Sequence, residues 1–266
     1  MDTNSPVDHP PTPRDAARRL VILHHVTLAP LALLTRSSRL GLQNAPAEKR
    51  DELLTFLNQQ RDAFWSKLRE QGLWEFLSPS ELELSKANGA TMTDRQIVNA
   101  SWRAEAAHTL AWALGLRPEI APYDTQVRPW QLPVDTDIRS FIAQATLRDR
   151  DEIEKARSIA ELWHWRSRTR QLIESGTPLT PTRQLTDAGL HSFDDIVRLT
   201  AKHAFANGDL PQPIDEDFPA NSKAYRDLTD EEWSDIRSIT IERHFGLNWL
   251  CGHAPNNEWD ETETST

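Results

Sequence analysis

The chain is short of cysteine, of glycine and of long apolar runs, and each shortage excludes something. A single Cys, Cys251, among 266 residues rules out an intramolecular disulfide framework and any metal site built from several thiolates. Its neighbours Leu247, Trp249 and Leu250 mark it as an inert buried thiol rather than a nucleophile. Nine Gly against 17 Pro do not suit a strand-rich fold with many tight turns; they suit helices joined by stiff connections. The longest apolar run, LVILHHVTLAPLALL at 20–34, follows Arg14, Arg18 and Arg19 and so has the outline of a secretion signal. Two adjacent histidines, His24 and His25, interrupt it, and no small-residue cleavage site follows. It also falls short of the roughly 20 residues that span a bilayer. The run reads as an N-terminal helix packed on the core of a cytoplasmic protein, with no membrane partner.

Catalytic signatures are missing too. The sequence has no phosphate-cradling Gly-rich loop, no G-x-S-x-G elbow and no H-E-x-x-H. Basic residues are outnumbered 30 to 40 by acidic ones, a formal charge of −10. That field repels nucleic acid, so no nucleic-acid partner is expected. The stretch WHWRSRTR interleaves bases with aromatics, but the acids around it favour a buried network over a strand-binding surface.

What is present is tryptophan. The apolar share is only 38%, yet ten Trp each cover a large area, so an aromatic-rich core is expected. Residues 1–13, with four Pro, read as a disordered tail. A helix follows from Arg14 toward Ala29, where Pro30 is expected to bend or end it. A second opens near Pro46 and stops at Gly72, with Leu53, Phe56, Leu57, Phe64 and Leu68 at helical spacing. Capping boxes mark further helices at Ser78/Glu81, Thr93/Gln96 and Thr229/Glu232, and Ser192 caps another. Between them lie an ordered Pro-rich loop at 117–134, a short helix near 136–147 and a long one over about 151–175. The last helix closes at Gly252, and an acidic, polar tail begins at His253. No strand alternation and no fixed-period repeat is visible. The expectation is one all-α, multi-helix globular domain over 14–266, with an aromatic-rich core and internal Arg, His and Glu groups.

Those internal groups are the informative feature. On a helical wheel, residues 159–173 give a stripe of Ile159, Leu162, Trp163, Arg166, Arg170 and Ile173, with Glu161, His164, Trp165, Arg168 and Leu172 opposite. The last helix likewise mixes Trp233, Ile236, Leu247 and Trp249 with Glu242, Arg243, His244 and Asn248, and the helix from Thr93 adds Trp102, Arg103, Glu105 and Trp112. An isolated buried charge is very costly, so such groups must be paired or bind something. Two readings follow for Trp102, Arg103, Glu105, His164, Arg166, Arg170, Glu242, Arg243, His244, Asn248 and Trp249. They form either a buried network that fixes helix register or a polar pocket, walled by Trp, for a small anionic ligand. E-x-x-H also occurs twice, as Glu105/His108 and Glu161/His164, the i, i+3 spacing that places metal ligands in helical bundles. Pairs of this kind arise readily by chance in a Glu-rich chain with nine His, so the metal reading is the weakest and no cofactor is named.

At these same segments the sequence resembles a bacterial family catalogued as domain of unknown function 4272. The matching stretches are LWEFLSPSE, SWRAEAAHTLAWALGL, AELWHWRSRTRQLIE, DDIVRLTAKHAFANGDLP, KAYRDLTDEEW, SITIERHFGLNWLCGHAPNN and WDETETST, covering most of the chain from about residue 46 onward and plausibly the N-terminal helix. The resemblance implies a predominantly helical protein and carries no activity with it. It adds Trp165, Trp259 and Asp260 to the motif positions. The family pattern has an aliphatic residue near His108, which weakens that E-x-x-H further, and a Pro near Glu263. Three functions stay open. The first is a binding or regulatory protein whose acidic surface docks a basic protein partner. The second is a small-molecule enzyme or sensor in which Arg103, Arg166, Arg170 and Arg243 hold an anion and His164 or His244 moves a proton. The third is a helical metal enzyme.

Overall fold

A computed structural model describes residues 9–33, 44–88, 91–131, 133 and 136–266, without the side chains of 29–33. Among them are nine α-helices: α1 Pro13–Leu33, α2 Ala47–Glu70, α3 Pro79–Lys86, α4 Asp94–Ala113, α5 Ile138–Ala143, α6 Arg150–Glu174, α7 Arg183–Asp187, α8 Phe193–Ala206 and α9 Asp230–Leu250. None of these is long and apolar enough to cross a membrane.

The boundaries follow from local chemistry. The expected capping boxes of α3, α4 and α9 all form, and Ser192 closes a fourth with Asp195 at α8. Each supplies acceptors or donors to backbone groups that a helix end leaves unpaired. Three features differ from expectation. Helix α1 starts at Pro13, where Thr12 and Asp15 cap one another, and it runs through Pro30 to Leu33. A proline removes one backbone donor, but its φ is helical, so one further turn can follow. The Pro/Thr-rich connection contains α7, capped by Thr182 and too short to show periodicity. A two-residue hairpin, Pro219–Ala220 against Lys223–Ala224, turns on Asn221 and Ser222 at positive φ. Two-residue strands carry no readable alternation. Of the N-terminal tail expected over 1–13, residues 1–8 lie outside the described set, while Pro10 lies against Gly252.

The helices pack in the order α2, α1, α4, α9, α6, each against the next, with α5 also on α1. Helix α1 separates two cores. Ala16, Ala17, Leu20 and Leu23 join the larger one with α4, α6 and α9, and Val21, Ile22 and Val26 join the smaller one with α2 and α3. The polar C-terminal segment folds back onto the larger core. Trp259 is buried edge-on to Phe245 and Trp249, at 4.8 and 5.3 Å between ring centres. Beside it, Asp260 accepts hydrogen bonds from the Ser78 hydroxyl and from the Ser80 backbone and hydroxyl, at 2.8–2.9 Å.

Helices α4 and α9 approach closely at a glycine. Helix α4 presents Ala106 and Thr109, and Gly246 of α9 meets them. A methyl group at Gly246 would lie 2.6 Å from Thr109 Oγ1 and 3.2 Å from the Ala106 backbone. Gly246→Ala is therefore expected to destabilise the fold by about 1–3 kcal/mol through overpacking, despite the better helix propensity of alanine. Urea unfolding measures this; an unchanged or raised midpoint would show that the α4–α9 contact is looser than described.

Candidate functional site

Helices α4 and α9 bring Glu105 and Arg243 together in the interior, both with side chains at most 1% exposed. Arg243 Nε donates to Glu105 Oε2 at 2.8 Å. The rest of the guanidinium is spent on backbone: Nη1 on the carbonyls of Ala121 and Pro122, Nη2 on that of Thr125 at 2.8 Å. Glu105 Oε1 accepts from the Val127 backbone N–H at 2.8 Å. His108, one turn on from Glu105, accepts at Nε2 from the Ala121 N–H at 3.1 Å. The pair thus grips a Pro-rich loop that has few backbone bonds of its own. Burial pushes the Glu105 carboxyl up and Arg243 pulls it back; burial also holds His108 down at about 4, hence neutral.

The other expected arginines are committed in the same way. Arg166 of α6 makes a bidentate pair with Asp217, both bonds 2.7 Å, and Asp217 also accepts the backbone N–H groups of Phe218 and Arg226. Arg170 donates to Glu174 at 2.6 Å and to the Leu228 carbonyl at 3.0 Å, with its guanidinium over Trp233. Arg103 pairs with Glu242 at 3.1 Å over the Phe245 ring. Burial raises the Glu242 carboxyl, against the pull of Arg103. Each of the four guanidiniums expected to hold an anion is thus paired with a carboxylate of the chain: Arg103 with Glu242, Arg166 with Asp217, Arg170 with the exposed Glu174 and Arg243 with Glu105. Trp249 donates to the Asn257 carbonyl and Asn248 to that of Glu263, tying α9 to the C-terminal segment, while Trp102 packs partly buried on the larger core.

His164 and His244 do meet, Nδ1 to Nδ1 at 3.0 Å, so one ring donates and the other accepts. Burial, reinforced by nearby cations, holds them down at about 4 and about 3. The two E-x-x-H pairs do not converge. Glu105 and His108 serve the loop, while Glu161 sits half-exposed on Arg157 at 3.0 Å, away from the His164–His244 contact. Among the described residues no three of His, Cys, Asp and Glu group as a metal would require.

The loop gripped by Arg243 forms one wall of a cleft of about 470 Å³. Its apolar lining is Trp112, Ile120, Tyr123, Ala156, Ile159 and Trp163, with Tyr123 stacked on Trp163 at 5.3 Å. Arg148 fixes the entrance by donating to the carbonyls of Trp112, Arg117 and Pro118. The charged rim pairs Arg148 with Glu152 at 3.7 Å and Lys155 with Asp209 at 3.5 Å, and adds the acids Glu119 and Asp124. Pro219, just after the Arg166–Asp217 pair, completes the lining. The sequence reading missed Tyr123 and Asp217. Tyr123 sits in the loop already expected to be ordered, and Asp217 ends the acidic run Asp215–Asp217, where the sequence does not say which acid turns inward.

Fold and site together define an all-α protein in which buried arginine–carboxylate pairs build the walls of an aromatic cleft. The chain belongs to the family described as a domain of unknown function, DUF4272, whose model matches residues 4–181. That span takes in α1, the 117–131 loop and α6; the matching stretches from residue 194 onward lie beyond it. No curated protein and no solved structure matches the chain.

Two outcomes follow. Asp217→Ala leaves Arg166 charged and buried and is expected to cost about 3–5 kcal/mol, read by urea unfolding; a loss below about 1 kcal/mol would mean the pair is solvated in solution. Five histidines, His24, His25, His108, His164 and His244, are held below the unfolded value of 6.5 by burial. Between about 6.5 and 3 the unfolded chain binds more protons than the folded one, so stability is full above that window and falls with pH through it. Urea midpoints should drop steadily as pH falls from about 6.5 to 4; a flat profile would show that these rings are protonated in the fold.

Proposed function

We propose that the protein is a binding protein, of the regulatory or interaction kind and acting in the cytoplasm, whose ligand places an apolar or aromatic group in the Trp112–Tyr123–Trp163 cleft. The observation that supports this is the way the cleft is held. Arg243, Arg148 and His108 each hydrogen-bond the backbone of the loop that walls it. A loop fixed in advance loses little entropy when a ligand arrives, which is how a small apolar site gains affinity. A mostly apolar lining with a few charged groups at the mouth is the usual composition of a ligand site. The rim carries more acids than bases, which disfavours an anionic occupant at that point. The overall charge of −10 favours approach by basic partners rather than acidic ones.

Indole is the simplest probe of the cleft. Saturation-transfer NMR on the full chain should show saturable binding. Ala156→Trp, which fills the cleft from the α6 side, should weaken it by about tenfold or more while the thermal unfolding transition persists. Indole binding that is absent, or that survives Ala156→Trp in a folded variant, would rule the cleft out as the binding surface.

A further inference from the structure

A second pocket, about 360 Å³ and sharing no residue with the aromatic cleft, lies where α6, α9 and the C-terminal segment meet. Its lining is His164, Arg168 and Gln171 from α6, Arg237 and Ile241 from α9, and the hydroxyl-bearing Thr264–Thr266. Apart from Ile241, every lining side chain carries a hydrogen-bond donor, and none carries a carboxylate. In a chain with ten more acids than bases, this is a departure.

The two arginines also differ from the others described. Arg19, Arg103, Arg166, Arg170 and Arg243 are each paired with a carboxylate. Arg237, half-buried, takes part in no hydrogen bond or ion pair with the described residues. Arg168 donates only to the Gln171 side chain, at 2.7 Å, and its remaining N–H groups are left over. The acid nearest in charge to His164, Glu161, is already paired with Arg157 at 3.0 Å. Two guanidinium forks and a ring nitrogen thus share one concavity whose lining side chains include no carboxylate. With Nδ1 engaged on His244, Nε2 is the nitrogen of His164 left for a ligand.

We propose that this pocket is an oxyanion site for a tetrahedral, phosphate-type anion, either free or as the head of a small phosphate ester. Guanidinium forks match the edges of phosphate bidentately, and charge-assisted bonds of this kind are the strong ones. Donors approach from two helices and from the C-terminal segment, so they can reach oxygens on several faces of a tetrahedron. A planar carboxylate would leave part of the set unused. The arginines that the sequence pattern marks for an anion are taken by internal acids; Arg168 and Arg237, one helical step or two away, are the ones left to bind it.

Isothermal titration of the full chain with inorganic phosphate, in a phosphate-free buffer, is the test. One saturable site is expected, weakened about tenfold or more by Arg237→Gln and only partly by Arg237→Lys, which keeps the charge and loses the fork. Arg198→Gln, whose guanidinium rests on Glu216 at 2.9 Å, should bind as wild type does. Arg168 is exposed, so Arg168→Gln should fold even if Arg237→Gln does not, and it should weaken binding several-fold. Tighter binding of glycerol phosphate would identify an ester as the occupant, and equal binding a free anion; both support the site. Absent saturation, acetate bound as tightly as phosphate, or wild-type affinity in a folded Arg168→Gln protein would overturn it.

Discussion

The pair of Glu105 and Arg243 sets the terms for the rest of the molecule. Removing both groups from water costs several kcal/mol per ion, and their mutual attraction offsets this only if every remaining lone pair and proton is used. The protein goes most of the way with backbone: three carbonyls of the 121–125 segment bond Arg243, and the Val127 N–H bonds Glu105. The loop is thereby ordered by the pair, and the pair is made tolerable by the loop. Because Glu105 belongs to α4 and Arg243 to α9, the same contact fixes the register of the packing in which Gly246 meets Thr109.

The same solution recurs along the core. Arg166 and Asp217 order the segment that carries Phe218 and Pro219, and Arg170 holds the turn before α9 through the Leu228 carbonyl. Each is a cation on a helix that satisfies carbonyls or acids of a connection lacking secondary structure of its own. Two consequences bear on function. The connections around the aromatic cleft are held by side-chain hydrogen bonds despite their irregular backbone, which is what the proposed binding role relies on. The arginines so employed are each paired with a carboxylate, whereas Arg168 and Arg237 are in no ion pair among the described residues.

Much of the helical layout was legible from end signals. Ser78, Thr93, Ser192 and Thr229 cap as their spacing to Glu81, Gln96, Asp195 and Glu232 implies, because a capping box is closed within four residues. The identities of the buried polar residues were legible too: Glu105, Arg166, Arg243 and His244 stand on helix faces otherwise apolar. Their partners were not. Asp217 lies 51 residues from Arg166, and Ala121 lies 122 from Arg243, so no local pattern relates them. Trp259 shows the same limit. It sits in a polar, acidic stretch that reads as solvated, yet its ring closes the core between Phe245 and Trp249.

The sequence by itself determined an all-α chain, the ends of most of its helices, and the presence of ionisable groups where apolar ones belong. Those are properties of residues a few positions apart, governed by capping, periodicity and composition. Only the tertiary structure decided which acid neutralises which arginine, and so which cations remain for a ligand. That outcome depends on pairs brought together across the core, where desolvation makes every unpaired charge costly and forces a choice that no single segment contains. Of the two readings open for Glu105 and Arg243, a buried network or a ligand pocket, the geometry follows the first for this reason: each is bonded to the other and to the loop that lines the cleft.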